Sequence, residues 1–177
     1  MMEVILTHKA FDRIPSDIAS IPIFAGQFPL RQVAGLIDWR MNGRISNLIE
    51  TKRLAGSVGD SLIMPTNGRL QSEAIFFYGL GHRTGWQSNH AEHNFLDWIG
   101  KLNGLNQESW LLTFGGMTEN FLEWRQYLRV FIHAVAHQPQ PACRQLYVAD
   151  SAPWILETKK RNMDLGDRVR LQYDLSA

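Results

Sequence analysis

Short runs of apolar residues, bounded by glycine, proline and polar residues, alternate along the chain with segments of helical periodicity. Residues 18–24 and 61–64 form two such runs and predict buried strands. Three further runs are continuous rather than alternating, which is typical of strands covered on both faces of a parallel or mixed sheet. These runs span residues 74–78, 110–114 and 146–149.

Two longer segments repeat their apolar residues at the spacing of a helix face. The first is predicted to begin with a capping box of Asn89 and Glu92 and to end at Gly104. Its apolar face comprises Ala91, Phe95, Trp98, Ile99 and Leu102. The second begins at Asn120, and its wide apolar stripe ends before Pro139. Both helices are expected to pack on the sheet.

The last segment of the chain alternates between polar and apolar residues. Residues 168–173 therefore predict a strand with one wet face, at an edge of the sheet. In chain order the strands alternate with helices, as in a three-layer α/β/α sandwich with a mixed, mostly parallel sheet. The loops are short and no linker interrupts them, so we expect a single domain over residues 1–177.

Residues 33–49 also follow helical spacing, but a glycine lies in their middle. Gly43 costs about 1 kcal/mol in a helix interior relative to alanine, so we expect two helices that break at this glycine. Asp38, Arg40 and Arg44 then lie near the junction, where they cap helix ends or pair with one another. A catalytic role for these charged residues is the alternative.

Composition and charge narrow the classes of function. Hydrophobic residues make up 45% of the 177 residues and charged residues 20%, which is close to the globular average. The net charge of +1 provides no strong field for nucleic acid or an anionic membrane. No window approaches the roughly 18 apolar residues of a membrane span, and the N-terminal residues do not resemble a secretory signal. With Cys143 as the only cysteine, we expect a cytoplasmic protein.

Three segments in the first half of the chain share their order and separation with a known family. They span residues 34–46 (AGLIDWRMNGRIS), 56–65 and 75–81, and they include Asp38, Arg40, Gly43 and Gly59. In these segments the chain resembles the N-terminal domain of the leucyl (cytosol) aminopeptidase family of metallopeptidases. The resemblance implies a macro-domain-like α/β/α fold and a structural role for the four motif residues.

The resemblance also bears on catalysis. It implies that the two metal ions and the catalytic lysine and arginine belong to a separate C-terminal domain. The nearest string here, residues 65–70, lacks the two acids of the family's metal-binding string, and paired metal ions need several carboxylate ligands. We therefore expect no cofactor, no metal site and no peptidase activity from this chain alone. The expected role is an interaction, assembly or regulatory module that binds a protein partner or self-associates.

Glycine-rich turns provide a second functional hypothesis. Gly79, Gly81 and Gly85 follow one predicted strand, and Gly115 and Gly116 follow the next. Backbone N–H groups in such turns cradle phosphates, and open α/β sheets bind ligands in crevices at the carboxyl ends of neighbouring strands. The alternative is thus a macro-type domain that binds a nucleotide or ADP-ribose-like small molecule. Glycines at strand ends are also ordinary turn residues, so both interpretations remain open.

Histidine pairs and the single cysteine are weaker candidates for chemistry. His90 with His93, and His133 with His137, each supply two of the three or four ligands of a metal site, so we interpret them as surface or cap residues. Cys143 has no histidine close in sequence and is expected to be a small buried residue rather than a nucleophile.

Six tryptophans are many for a chain of this length, and exposed aromatic side chains are enriched in interfaces. Three of them fall on predicted apolar faces and are expected in the core: Trp98, Trp110 and Trp124. The others, Trp39, Trp86 and Trp154, are less constrained and are our candidate interface residues.

Overall fold

A computed structural model describes residues 1–86 and 90–176. In these residues seven strands form one sheet: β1 (Met2–Thr7), β2 (Ile18–Ala25), β3 (Ser61–Pro65), β4 (Ala74–His82), β5 (Ser109–Leu112), β6 (Gln145–Ala149) and β7 (Val169–Asp174). Their order across the sheet is β3-β4-β2-β5-β6-β1-β7. Neighbouring strands are parallel except for β3 and β4, which are antiparallel. The sheet is therefore mixed and mostly parallel, as predicted.

Helices cover both faces of the sheet. The described part of the chain contains five α-helices: α1 (Gln32–Arg40), α2 (Arg44–Glu50), α3 (Ala91–Gly104), α4 (Phe121–Ala136) and α5 (Ala152–Lys160). Helices α1 and α2 bury Ile37 and Ile45 in a core on one face. Helices α3, α4 and α5 bury Trp98, Phe131 and Ile155 in a core on the other face. This arrangement confirms the predicted three-layer α/β/α sandwich.

Strand β4 explains why a buried strand has a continuous apolar sequence. Ile75 and Phe77 point into the core beneath α1 and α2, while Phe76 and Tyr78 point into the core beneath α3 and α4. Successive side chains of a strand point to opposite faces, so a strand covered on both sides needs an apolar residue at every position.

Two strands differ from the sequence-based expectation. Strand β1, which was not predicted, lies between β6 and β7 and buries Val4, Ile5 and Leu6. Residues 61–64 do form β3, but the prediction that this strand is buried is wrong. It has one neighbour and lies at the sheet edge, so Ser61 and Ile63 are exposed. The opposite edge is β7, which confirms the edge strand predicted near the C-terminus.

The predicted helix boundaries hold for α4 and only partly for α3. Asn120 caps α4, because its Oδ1 accepts hydrogen bonds from the backbone N–H groups of Leu122 (2.9 Å) and Glu123 (3.2 Å). Of the box predicted for α3, Asn89 lies outside the described residues. Helix α3 does end at Gly104, as predicted, and the residue with positive φ that follows it is Asn106, at +54°. Within the described residues, no helix has the length and apolar character needed to span a membrane.

Candidate functional site

The junction between α1 and α2 has the break that was predicted. Asn42 and Gly43 both have positive φ, at +57° and +72°. Asp38 then caps α2, since its Oδ1 accepts hydrogen bonds from the backbone N–H groups of Ile45 (2.8 Å) and Ser46 (2.9 Å). The Asp38 carboxylate therefore binds the positive, N-terminal end of α2, which is a structural role.

Arg40 pairs with an acidic residue outside the junction. Its Nε and Nη2 lie 2.7 and 2.6 Å from Oδ2 of Asp12, which is buried. Its guanidinium also lies 5.0 Å from the centre of the exposed Trp39 ring. The ion pair ties α1 to the short 3₁₀ turn Phe11–Arg13 and holds the Arg40 side chain beside Trp39.

The glycines of β4 are contacted by a loop of the chain itself. Residues 56–60 run along the last part of this strand, where Gly79 N donates to the carbonyl of Asp60 (2.7 Å) and Gly81 N donates to the carbonyl of Gly56 (2.9 Å). The strand continues to His82, so the prediction that Gly79 and Gly81 form a turn after the strand is wrong.

Close packing explains why these two positions are glycine. A methyl group at Gly79 would overlap the carbonyl oxygen of Ser57, and one at Gly81 would lie 2.7 Å from Cγ2 of Val58. Gly81 also has φ +79°, a backbone conformation that residues with a side chain rarely adopt. Both glycines therefore have a steric function in admitting the loop.

A polar network on the outside of α3 fixes the same loop. Gly59 N donates to the carbonyl of Gly79 (3.0 Å), and Lys101 Nζ donates to the carbonyl of Gly59 (2.7 Å). Lys101 also contacts Asp97, which accepts a hydrogen bond from Tyr78 Oη (2.7 Å). Burial and the contact with Asp97 raise the pKa of Tyr78 well above its usual range, so it remains a donor.

The residues directly after β4 approach the glycine turn after β5, although not in the way that was predicted. Strand β2 lies between β4 and β5, so the expectation of neighbouring strands is wrong. Arg83, which directly follows β4, makes the connection instead. Its guanidinium lies 4.3 Å from the centre of the Phe24 ring at the end of β2. Its Nη2 donates a hydrogen bond to the carbonyl of Gly116 (2.5 Å). From the other side, Oε1 of Gln32 lies 3.5 Å from the position of a methyl group at Gly116.

The turn after β5 is occupied by a carboxylate that sequence reasoning missed. Asp150 accepts hydrogen bonds from Thr113 Oγ1 (2.7 Å), Phe114 N (3.0 Å), Gly115 N (2.8 Å) and Trp124 Nε1 (2.8 Å). Burial raises the pKa of Asp150, and these donors oppose that effect by stabilising the charged form. The sequence signal that could have identified Asp150 was its position, as an acidic residue directly after the buried strand β6. The turn amides suited to a phosphate thus bind the chain's own anion.

A pocket of about 540 Å³ lies beside the end of β4 and the first turn of α3. Gly81, Gly85, His90, His93 and Asn94 contribute to its lining, whereas Gly115 and Gly116 do not. Of the glycines predicted to form one crevice, Gly81 and Gly85 therefore line this pocket, Gly115 and Gly116 lie in the turn bound by Asp150, and Gly79 belongs to neither.

The histidines of both pairs are exposed, as predicted. His133 and His137 stack with ring centres 4.0 Å apart on the surface of α4, and His90 and His93 lie at the start of α3. Among the described residues, no group of three or more His, Cys, Asp or Glu side chains is placed to hold a metal ion.

The candidate interface tryptophans differ in exposure. Trp39 is 69% exposed on α1. Trp86 is half-buried and donates a hydrogen bond from Nε1 to Tyr127 Oη (3.2 Å), and Trp154 packs against Trp124 with ring centres 5.5 Å apart. Trp39 is therefore the candidate with the largest free surface.

Cys143 is predicted to be unreactive in the folded protein. The residue is 2% exposed, and burial raises the pKa of its thiol to about 12, so almost no thiolate forms near neutral pH. We expect an aromatic disulfide reagent at pH 8 to modify the native protein at least about 100-fold more slowly than the protein in denaturant. Equal rates would show that the thiol is accessible.

Comparison with known proteins places this geometry in context. No protein-family model matches the sequence. A stretch of 80 residues, 45% of this chain, is 31% identical to a probable cytosol aminopeptidase from Sulfurihydrogenibium sp. and covers 16% of that protein. Tomato leucine aminopeptidase has a similar structure over 90% of this chain and 35% of its own chain, with TM-score 0.67 and 12% sequence identity.

Macrodomains share the fold as well. The Oceanobacillus iheyensis macrodomain solved with ADP matches with TM-score 0.61 and 9% identity, over 86% of each chain. Other macrodomains match too. This chain spans well under half of either aminopeptidase it matches. The predicted resemblance is confirmed: the chain has a macrodomain-like α/β/α fold and is similar to the N-terminal region of leucine aminopeptidase.

Proposed function

We propose that this chain is a non-catalytic interaction module, which assembles with a protein partner or with further copies of itself in the cytoplasm. The observation that carries the proposal is that side chains of the chain itself bind the turn after β5, where the second hypothesis places a phosphate. Asp150 binds the amides of the turn after β5, and Arg83 bridges that turn to the end of β2. Polar groups committed to one another in this way stabilise the fold and are not free to bind a ligand.

The aminopeptidase resemblance supports a non-catalytic role. The matched part of tomato leucine aminopeptidase is about a third of that chain. Residues 65–70 lack the acidic side chains that a paired metal site of that family would need. The exposed Trp39 supports an interaction role, because tryptophan is enriched at the centre of protein interfaces.

Thermal unfolding with candidate ligands tests the proposal. We expect ADP-ribose, ADP and divalent metal ions, each near 1 mM, to leave the unfolding midpoint unchanged. A ligand of about 10 μM affinity would add about 2.7 kcal/mol and raise the midpoint by roughly 5–10 °C. Such a shift, from a protein that stays monomeric by light scattering and retains no protein partner, would overturn the interaction module.

A second candidate is the binding of a nucleotide or ADP-ribose-like ligand, favoured by the fold shared with a macrodomain solved with ADP. Gly116→Leu separates the two candidates, since Gly116 belongs to the turn of the second hypothesis and a methyl group there meets Oε1 of Gln32 at an ordinary contact distance of 3.5 Å. A midpoint shift that this variant abolishes, while it remains folded, would establish the second candidate. A bulky residue at Gly81 would not serve, because it would also displace the loop at Val58.

A further inference from the structure

Strand β3 leaves one edge of the sheet open. Its only neighbour in the sheet is β4, and among the described residues no other segment hydrogen-bonds to it. The strand, Ser61–Pro65, contains no charged residue, and the side chain of Ile63 is 47% exposed. Proteins usually block an open edge with charged side chains or proline, because unpaired backbone groups attract another strand. Apart from Pro65 at its end, the edge of β3 lacks such protection.

The opposite edge of the sheet provides a contrast. Strand β7 carries Arg170 and Asp174, and Asp174 forms an ion pair with Lys9 (2.8 Å). Charged residues on an edge strand disfavour pairing with a further strand. Of the two edges, β3 is therefore the one suited to pairing.

Hydrogen bonds at the two ends of β3 show which of its backbone groups face outward. Thr66 N donates to the carbonyl of Glu73 (3.0 Å), and the carbonyl of Asp60 accepts from Gly79 N (2.7 Å), so residues 60 and 66 face β4. Along an antiparallel strand the N–H and C=O groups of successive residues point to alternate sides. Every second residue between these ends therefore faces β4, and the others face outward. The outward-facing residues are Ser61, Ile63 and Pro65.

We propose that β3 pairs antiparallel with β3 of a second copy of this chain, with Ile63 opposite Ile63 on a two-fold axis. The inference rests on the proposed interaction function and names the chain itself as the partner. In this register every outward N–H has an acceptor: Ile63 N donates to the carbonyl of Ile63 in the second copy, and Ser61 N donates to the carbonyl of Pro65. Pro65 has no N–H that could be left unpaired.

The side chains of β3 also favour a second copy. Leu62 and Met64 pack in the core beneath α1 and α2, so the side chain of Ile63 lies on the other face of the sheet. In the proposed register the two Ile63 side chains are direct neighbours and cover each other's exposed apolar surface. The paired residues are uncharged, so the two copies do not repel each other. A two-fold contact also closes after two chains and cannot extend into a fibre.

The short length of the contact sets its expected strength. The five residues of β3 extend about 17 Å, so their pairing covers less than the roughly 800 Å² per partner of a standard interface. Interfaces below the standard size are typical of weak, reversible complexes. We therefore expect a dimer with a dissociation constant of about 10–100 μM.

Sedimentation equilibrium of the purified chain at about 1–500 μM tests the inference. We expect Ile63→Lys and Ile63→Glu each to weaken self-association at least about ten-fold, because like charges would lie directly opposite one another. An equimolar mixture of these two variants should dimerise again, since lysine then lies opposite glutamate. Leu122→Lys makes the same change at an exposed apolar residue of α4 and should leave self-association unchanged.

Three outcomes overturn the inference. The unaltered chain stays monomeric over this range, Ile63→Lys dimerises as tightly as the unaltered chain, or the mixture of the lysine and glutamate variants stays monomeric. A dimer that is insensitive to residue 63 contradicts β3 pairing but still supports an assembling module, and a monomer leaves a protein partner for the proposed function. Only a ligand-induced midpoint shift in a monomer without a partner contradicts that function. The mixture also controls for folding, because a misfolded variant could not restore the dimer.

Discussion

Replacing Asp150 by alanine is expected to lower the free energy of unfolding by about 3 kcal/mol. The substitution leaves four donors without their acceptor: Thr113 Oγ1, Phe114 N, Gly115 N and Trp124 Nε1. Removing a desolvated charge returns part of this cost, because burial disfavours the carboxylate. The donors outweigh that gain, since each unpaired buried donor costs about 1–3 kcal/mol. Equilibrium unfolding in urea measures the difference.

Two further variants make this measurement specific. Asp150→Asn keeps one oxygen acceptor but turns an amide N–H₂ toward two of the donors, so we expect roughly half the loss caused by alanine. Asp167→Ala removes an exposed carboxylate from the surface and should change stability by less than about 0.5 kcal/mol. A stable Asp150→Ala protein would mean that water satisfies the turn amides, and the case that the turn after β5 is closed to a ligand would be lost.

Elements that depend on local physics were predictable from the sequence. The break at Gly43 follows from the cost of glycine in a helix, and the cap at Asn120 follows from the preference of a short polar side chain for the first free N–H groups. The continuous apolar run at residues 74–78 predicted a doubly covered strand, because each face of a strand takes every second residue. In each case the information lies within one turn or one strand.

The candidate site was less predictable because it depends on strand order. Consecutive strands along the chain, β4 and β5, are separated in the sheet by β2, and no local pattern encodes that crossover. Asp150 meets Phe114 and Gly115 only because β6 lies beside β5. The same limit applies to Gly79, since a glycine that forms a turn and a glycine that admits another segment have identical local sequence signals.

The second large effect is expected at this glycine. Gly79→Ala should lower the free energy of unfolding by about 3 kcal/mol and the unfolding midpoint by roughly 6–10 °C. The added methyl group would overlap the carbonyl oxygen of Ser57 and lie 2.7 Å from the carbonyl carbon of Gly56. These are backbone atoms, which cannot rotate away as a side chain can. The loop must therefore move and strain its hydrogen bond between Gly79 N and the carbonyl of Asp60 (2.7 Å).

Gly100→Ala is the matched control, because the chemical change is identical and the environment is opposite. Gly100 lies exposed inside α3, and a methyl group there meets no atom within 4 Å. Alanine should stabilise this helix by about 0.5–1 kcal/mol through its lower conformational freedom in the unfolded chain. The two variants are thus expected to shift the midpoint in opposite directions. Similar midpoints for both would show that residues 56–60 do not pack on β4 as described, and Gly79 would again be available as a ligand-binding turn.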